Sequence, residues 1–199
     1  MSKKSCSFLD LGTGNGHFLF RLREGEEPDS DDEEEAEGDE GRGWNGRMLG
    51  VDYSQKSVDF ARKIAEDKGF GKDDGEKQVE FSHWDLITDS SAPILSPPHE
   101  DGWDVVLDKG TFDAISLSEE TDGQGRRICE GYKERVVPLI RVGGVLLITS
   151  CNWTEEELDT WFVGGELERV KNIEYKSFSF GGKKGQTISS VCFRRRVAS

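Results

Sequence analysis

Long apolar runs are missing from this chain of 199 residues. No stretch reaches the roughly 18 to 20 apolar residues that cross a bilayer, and MSKKSCSFLDLG at the start holds no signal-peptide core before its first glycine. A soluble, cytoplasmic protein with no membrane partner is therefore expected. Cysteine is sparse and scattered: Cys6, Cys129, Cys151 and Cys192 contain no C-x-x-C pair. That argues against a zinc site or a disulfide framework and for reduced, mostly buried thiols. His17, His83 and His99 stand alone with no metal-ligand spacing, so no metal is expected; His17, beside a glycine turn, is the best placed of the three for catalysis. No Ser/His/Asp or Cys/His arrangement stands out. Positive charge is in deficit as well, with a formal net charge of −14. Phosphate contacts need clustered Lys and Arg, so nucleic acid is not an expected partner.

The charge is unevenly spread. Glu24 to Gly41 carries 12 acidic and no basic residues, which leaves 28 acids against 26 bases elsewhere, a net of −2. A block of like charge with almost no apolar residue cannot offset the entropy of ordering, so a disordered acidic insert over 24–43 is expected. The remainder, with eleven Phe and five Trp, has the means to build a core. The length suits one domain, here 1–199, and a monomer is expected.

Read along the chain, Cys6-Ser7-Phe8-Leu9-Asp10-Leu11 is a strand that ends in Gly12, Gly14 and Gly16, and a helix begins at Phe18. Met48 to Asp52 is a second strand. Ser54 caps a helix running to Lys68, whose face is Val58, Ala61, Ile64 and Ala65 and whose stop is Gly69. Val79 to Trp84 and Trp103 to Asp108 read as the third and fourth strands. Ile128, Tyr132, Val136 and Ile140 recur every fourth residue, a helix that Pro138 kinks or ends; Gly143-Gly144 then turns into a strand over 145–149. Thr154 with Glu157 is a capping box opening the last helix. Ile173 to Phe180 and Thr187 to Phe193, joined by Gly181-Gly182-Lys183-Lys184-Gly185, form an antiparallel hairpin. Alternating strands and helices followed by a hairpin give an α/β class: a doubly wound, mostly parallel sheet with a reversed C-terminal strand. Arg194-Arg195-Arg196 is expected as a solvated tail.

Asp10-Leu11-Gly12-Thr13-Gly14-Asn15-Gly16 is a D-x-G-x-G-x-G turn that lets the backbone leave a strand sharply and approach a ligand, with helix N–H groups beyond it. Asp52 lies 36 residues after Gly16, and 18 once the 18-residue acidic stretch is left out, close to the spacing of about 20 for an acidic residue on ribose hydroxyls. The third glycine comes one residue earlier than in the dinucleotide fingerprint, and Asp10 precedes the first by two. A carboxylate there repels phosphates and pairs with a cation, which favours S-adenosyl-L-methionine over NAD. Asp10 otherwise bonds its own turn. Trp84-Asp85 offers an aromatic wall and an acceptor for adenine, or else a core residue and a cap. Asp108-Lys109-Gly110-Thr111-Phe112-Asp113-Ala114 sits at the carboxyl edge where open α/β sheets bind ligands. Trp153 and Phe162 either line an apolar channel for a lysine stem or pack in the core.

The D-x-G-x-G-x-G turn, Asp52, Trp84-Asp85 and above all LDKGTFDAISL from Leu107 to Leu117 resemble the seven-β-strand S-adenosylmethionine-dependent methyltransferases. Among these the chain is most similar to the protein-lysine methyltransferases of translation elongation factor 1-alpha, over about Phe8 to Phe193 apart from the insert. The resemblance implies a seven-stranded Rossmann-like domain that methylates a lysine of that factor. It places Gly12, Gly14 and Gly16 along the methionine half of the cofactor, Asp52 on the ribose, Asp85 on the adenine amine and Asp108 beside the transferred methyl. The expected cofactor set is Asp10, Gly12, Thr13, Gly14, Asn15, Gly16, Asp52, Tyr53, Trp84, Asp85 and Asp108, with Asp108 also catalytic, orienting the lysine amine or accepting its proton. Such enzymes carry a cofactor-covering segment before the first strand. Here that strand begins within about five residues of Met1, so an incomplete chain or an unusually open pocket is expected. The rival readings are a methyltransferase for another protein, a small molecule or nucleic acid, and a binding module that keeps the fold.

Overall fold

In the computed structural model, which describes residues 2–25, 43–71, 77–175, 178–180, 183–185 and 188–197, the chain clusters into two units, Met1–Trp84 and Asp85–Ser199. In the first, β1 (Phe8–Leu11), β2 (Met48–Asp52) and β3 (Glu80–His83) lie in the order β3-β2-β1. Both pairings are parallel, with Phe8 opposite Met48 and Asp52 opposite His83. Every residue of β1 and β2 is buried, as befits parallel strands covered on two faces. The first strand is two residues shorter than the run from Cys6 predicts, and α1 (His17–Glu24) starts one residue earlier than expected.

Helix α2 (Gln55–Lys68) has the bounds its signals predict. Ser54 Oγ accepts from Ser57 N, and Gly69 closes the helix at φ 78°, a left-handed conformation that glycine adopts without Cβ strain. Val58, Ala61 and Ala65 are buried, while Ile64 is half-buried.

The expected disorder of the acidic insert falls on 26–42, outside the described residues. Its assigned ends belong to the framework. Glu24 closes α1 and Gly25 caps it, and Gly43 is packed so closely that a Cβ there would stand 1.8 Å from Arg23 O. Arg23 explains the closure. Its buried guanidinium donates to the carbonyls of Trp44, Gly46 (2.9 Å) and Gln78 (2.7 Å), and Trp44 N donates to Leu22 O at 2.9 Å. The chain therefore returns at Trp44 to the helix it left at Glu24.

In the second unit, β4 (Trp103–Lys109) and β5 (Ile140–Ser150) pair in parallel, with Asp108 opposite Ile148. β6 (Leu167–Ile173) and β9 (Ser189–Arg195) follow, β9 antiparallel to both β5 and β6, in the order β4-β5-β9-β6. The helices are α3 (Thr111–Leu117), α4 (Tyr132–Val136) and α5 (Glu155–Phe162). The helix expected to reach Ile140 is instead a 3-10 turn (Ile128–Gly131), α4, and a second 3-10 turn (Val137–Leu139). Pro138 breaks the α-helical ladder, and Ile140 already belongs to β5. Gly143-Gly144 lies inside β5 rather than before it, at an irregular register between Trp103 and Val105 where a Cβ on Gly144 would stand 2.8 Å from Trp103 O.

The expected hairpin separates into two pairings. Phe178–Phe180 (β7) and Lys183–Gly185 (β8) pair with each other, while β9 takes β5 and β6 as its antiparallel neighbours. Of the three arginines expected as a solvated tail, only Arg196 lies beyond the last strand, and it and Arg194 are exposed. Arg194 and Arg195 are in β9, and Arg195 donates to Glu166 Oε2 at 2.7 Å and to Ile140 O. Cys6 and Cys129 are buried, Cys192 is half-buried and Cys151 is exposed, all free thiols. Among the described residues no helix is long and apolar enough to cross a membrane.

Candidate functional site

In the first unit the glycine turn leaves β1 with Gly12, Gly14 and Gly16 at φ 67°, 57° and 76°. The three positions meet different demands. A Cβ on Gly16 would stand 2.5 Å from the Phe81 ring, so packing and conformation both require glycine there. At Gly14 a Cβ would meet nothing within 4 Å, and only the backbone conformation requires glycine. Gly14 therefore presents bare main chain to open space.

Two buried carboxylates hold this turn. Asp10 Oδ2 accepts from Thr13 Oγ1 at 2.7 Å, so the expected bond to its own turn is present. Asp52, at the end of β2, accepts from Gly14 N at 3.0 Å through Oδ2 and from Ser54 N at 2.8 Å through Oδ1. One side chain thus joins the glycine turn to the start of α2. Asn15 is exposed and accepts from His17 N at 3.2 Å. Tyr53 is 75% exposed, and its carbonyl lies 2.9 Å from His83 Nε2. Trp84 is 5% exposed, which is a core position rather than an open wall; its N–H donates to Asp52 O at 3.0 Å.

In the second unit, half-buried Asp85 accepts from Ile87 N at 2.8 Å through Oδ1, and its own N–H donates to Asp89 Oδ2. Asp108 lies in β4, which runs one residue past the strand expected over Trp103 to Asp108. Gly110, at φ 86°, opens α3, and the Asp108 carboxylate accepts from Thr111 N at 2.8 Å and Phe112 N at 2.9 Å. Tyr132 Oη makes a short hydrogen bond to Asp108 Oδ2. Burial, offset in part by these hydrogen bonds, pushes the carboxyl up to about 6, and the same burial beside a carboxylate raises the Tyr132 hydroxyl.

A further polar cluster follows β5. Asp113 Oδ1 accepts from Ser150 Oγ and Oδ2 from Cys151 N at 2.8 Å. Ser150 Oγ accepts from Asn152 N and Trp153 N at 3.1 and 2.9 Å. Phe162 is 1% exposed, so of the two aromatic residues read as channel or core it is core, while Trp153 is half-buried.

Sequence reasoning took Tyr132 only as an apolar helix position and overlooked Ser116, Ser150 and Trp161. Asp113 and Ser116 lie within LDKGTFDAISL; no sequence signal ties Tyr132 or Ser150 to it. Among the described residues no cluster of His, Cys, Asp or Glu has the make-up of a metal site.

The chain matches the family model for a methyltransferase domain over residues 2–188. It is 35% identical over 191 residues to protein-lysine N-methyltransferase EFM4 of Saccharomyces cerevisiae, covering 96% of this chain and 70% of that protein. To human EEF1A lysine methyltransferase 2 it is 30% identical over 189 residues, covering 95% of this chain and 65% of the relative. Among solved structures it is similar to magnesium protoporphyrin IX methyltransferase from Synechocystis, solved with bound S-adenosylmethionine, at TM-score 0.59 and 13% identity, over 98% of this chain and 72% of that one. The last likeness is one of fold: the doubly wound, mostly parallel sheet with an antiparallel C-terminal strand, seven-stranded as the family resemblance implies.

Proposed function

The chain belongs to the methyltransferase-domain family, among protein-lysine N-methyltransferases such as EFM4 and EEF1A lysine methyltransferase 2, and from that premise we propose that it methylates a lysine ε-amine of translation elongation factor 1-alpha with S-adenosyl-L-methionine as donor. The observation that carries the donor is the Gly14 turn, whose main chain is pinned by Asp52 and opens on empty space where any side chain would stand. The acceptor rests on the relatives' names. When bound, S-adenosyl-L-methionine supplies a methyl group already activated by its sulfonium.

In this reading Gly12, Thr13, Gly14, Asn15 and Gly16 hold the methionine half, and Asp10 supports the turn from beneath while favouring a cation over a phosphate. Asp52 and Tyr53 take the ribose. Asp85 accepts from the adenine amine, and Trp84 backs the site from the core. Asp108 borders the transferred methyl; its burial and its bonds to Thr111, Phe112 and Tyr132 favour orienting the amine over accepting its proton. The chain's work is to align nitrogen with the methyl group and to strip water from the amine, which lowers the pKa of lysine toward the neutral nucleophile. We take it to act as a cytoplasmic monomer on protein rather than on nucleic acid or membrane.

The test is incubation of the chain with tritiated S-adenosyl-L-methionine and purified elongation factor 1-alpha, beside calorimetry with the donor alone. Donor binding and a labelled lysine are expected. Binding without label on the factor would transfer the reading to another acceptor, and absence of donor binding would sink it.

A further inference from the structure

A buried carboxylate spends its acceptors on a surface loop. Both oxygens of Asp113, a buried residue of α3, go to the last residue of β5 and the one after it: Ser150 Oγ and Cys151 N. Ser150 Oγ then takes the N–H groups of Asn152 and Trp153. The Trp153 indole is fixed from its other end, because Nε1 donates to Ser116 Oγ at 2.9 Å and Ser116 Oγ donates to Asp113 O at 3.0 Å. Main chain and side chain of one half-buried tryptophan are thus held by a single polar cluster. Fully bonded polar groups of this kind rigidify what they hold, and rigid aromatic side chains bind without paying rotamer entropy.

The held ring is not alone. Half-buried Trp161 of α5 packs edge-on to Trp153, ring centroids 5.8 Å apart, over the Phe112 ring at 6.0 and 5.4 Å. Both tryptophans keep part of their surface in solvent, whereas Phe112 and Phe162 beneath them are core. Because β4 and β5 run in parallel, with Lys109 opposite Thr149, the loop after Ser150 emerges at the same carboxyl edge of this unit as Asp108, the edge where open α/β sheets bind ligands. Exposed Glu119 and Glu120 follow α3 in the chain and exposed Glu156 lies in the first turn of α5, while Arg127 donates to the carbonyls of Ser116 and Ser118.

We propose that Trp153 and Trp161 form the wall against which the acceptor lysine of the protein substrate lies, its hydrocarbon stem on the rings and its ammonium attracted to their faces on arrival, before it gives up its proton. This rests on the reading of the chain as a protein-lysine methyltransferase. Aromatic faces attract a cation best when the partners are desolvated, and a lysine stem supplies the apolar contact. The two tryptophans accordingly set affinity for the acceptor and leave the donor untouched.

The test begins with the wild-type chain, whose transfer to elongation factor 1-alpha establishes the underlying reading; absence of transfer there refutes that reading, not the wall. Given transfer, Trp153→Leu and Trp161→Leu are each expected to raise KM for the factor about tenfold, with kcat and the donor Kd within twofold and with Trp153→Phe restoring most of the loss. Trp161→Leu keeps the argument open to refutation if Trp153→Leu lowers the melting temperature sharply. An unchanged acceptor KM in Trp161→Leu, or a fall confined to kcat or to donor binding, would overturn the proposal.

Discussion

The turn after β1 and the turn after β4 share a plan: a carboxylate near the strand's end, Asp10 or Asp108, bonds into the turn, and a left-handed glycine, Gly16 or Gly110, opens the next helix. They differ in what they leave over. After β1 the backbone is bare, with Gly12 exposed, Gly14 facing open space and the carboxylates placed to the side. After β4 the carboxylate itself is central, 1% exposed and hydrogen-bonded by two backbone N–H groups and a tyrosine. The first turn is built to receive a ligand; the second is built to fix one of its own side chains.

The contrast breaks most visibly at Asp108. Asp108→Asn keeps the size and an acceptor for Thr111 and Phe112 but loses the charge that orients the amine, so methyl transfer is expected to fall by about 10²-fold, the scale of a misplaced reactant, while the donor Kd stays within a few fold. The melting temperature at pH 7 is expected to hold within a few degrees, because a neutral amide escapes the burial penalty that raises the carboxyl. Parallel losses of stability and activity would instead make Asp108 purely structural.

Asp52 probes the other turn. Asp52→Ala frees Gly14 N and Ser54 N and removes the ribose acceptor, so donor affinity measured by calorimetry is expected to weaken by about 1.5 to 3 kcal/mol. Unchanged affinity would remove Asp52 from the site.

A pH series sharpens the comparison. Burial pushes Asp108 up from 3.8 to about 6, so the folded state binds this proton more tightly than the unfolded one. The associated stability is complete below about pH 4 and is lost as pH rises through 6. Urea midpoints of the wild-type chain should therefore decline relative to Asp108→Asn between pH 4 and 7. A constant difference between the two would show that the carboxylate is not raised.

The smallest effect is expected from deleting residues 26–42. Trp44 N already bonds Leu22 O, and Arg23 bridges Trp44, Gly46 and Gln78, so a short linker should leave the melting temperature within a few degrees. If the insert steers a basic substrate, its loss should slow capture at low salt only. A large loss of stability would show that the insert contributes to the fold.

Much of the first unit was legible because its signals are local. Ser54 and Gly69 bound α2 through bonds to residues within four positions, and the left-handed glycines of the D-x-G-x-G-x-G turn are a backbone requirement written in the turn itself. The Thr154–Glu157 capping box was equally readable. Legibility failed where two local signals competed, as at Ile140, whose fourfold spacing suggested helix while Pro138 had already ended it. It failed again at the C-terminus, where the glycines of one hairpin concealed that β9 lies antiparallel between β5 and β6.

Thus the sequence alone determined the alternation of strands and helices, the glycine turn with Asp10 and Asp52, and the chemistry those residue types favour, because each depends on neighbours a few residues away or on a spacing that can be counted. Only the tertiary structure decided that Tyr132 reaches Asp108 across 24 residues, that Ser150 and Cys151 bind Asp113 across 37 and 38, and that Trp153 stays partly open while Phe162 is enclosed. Those outcomes depend on which buried polar groups find partners and which rings meet water, and burial is a property of the packed chain that no local pattern carries.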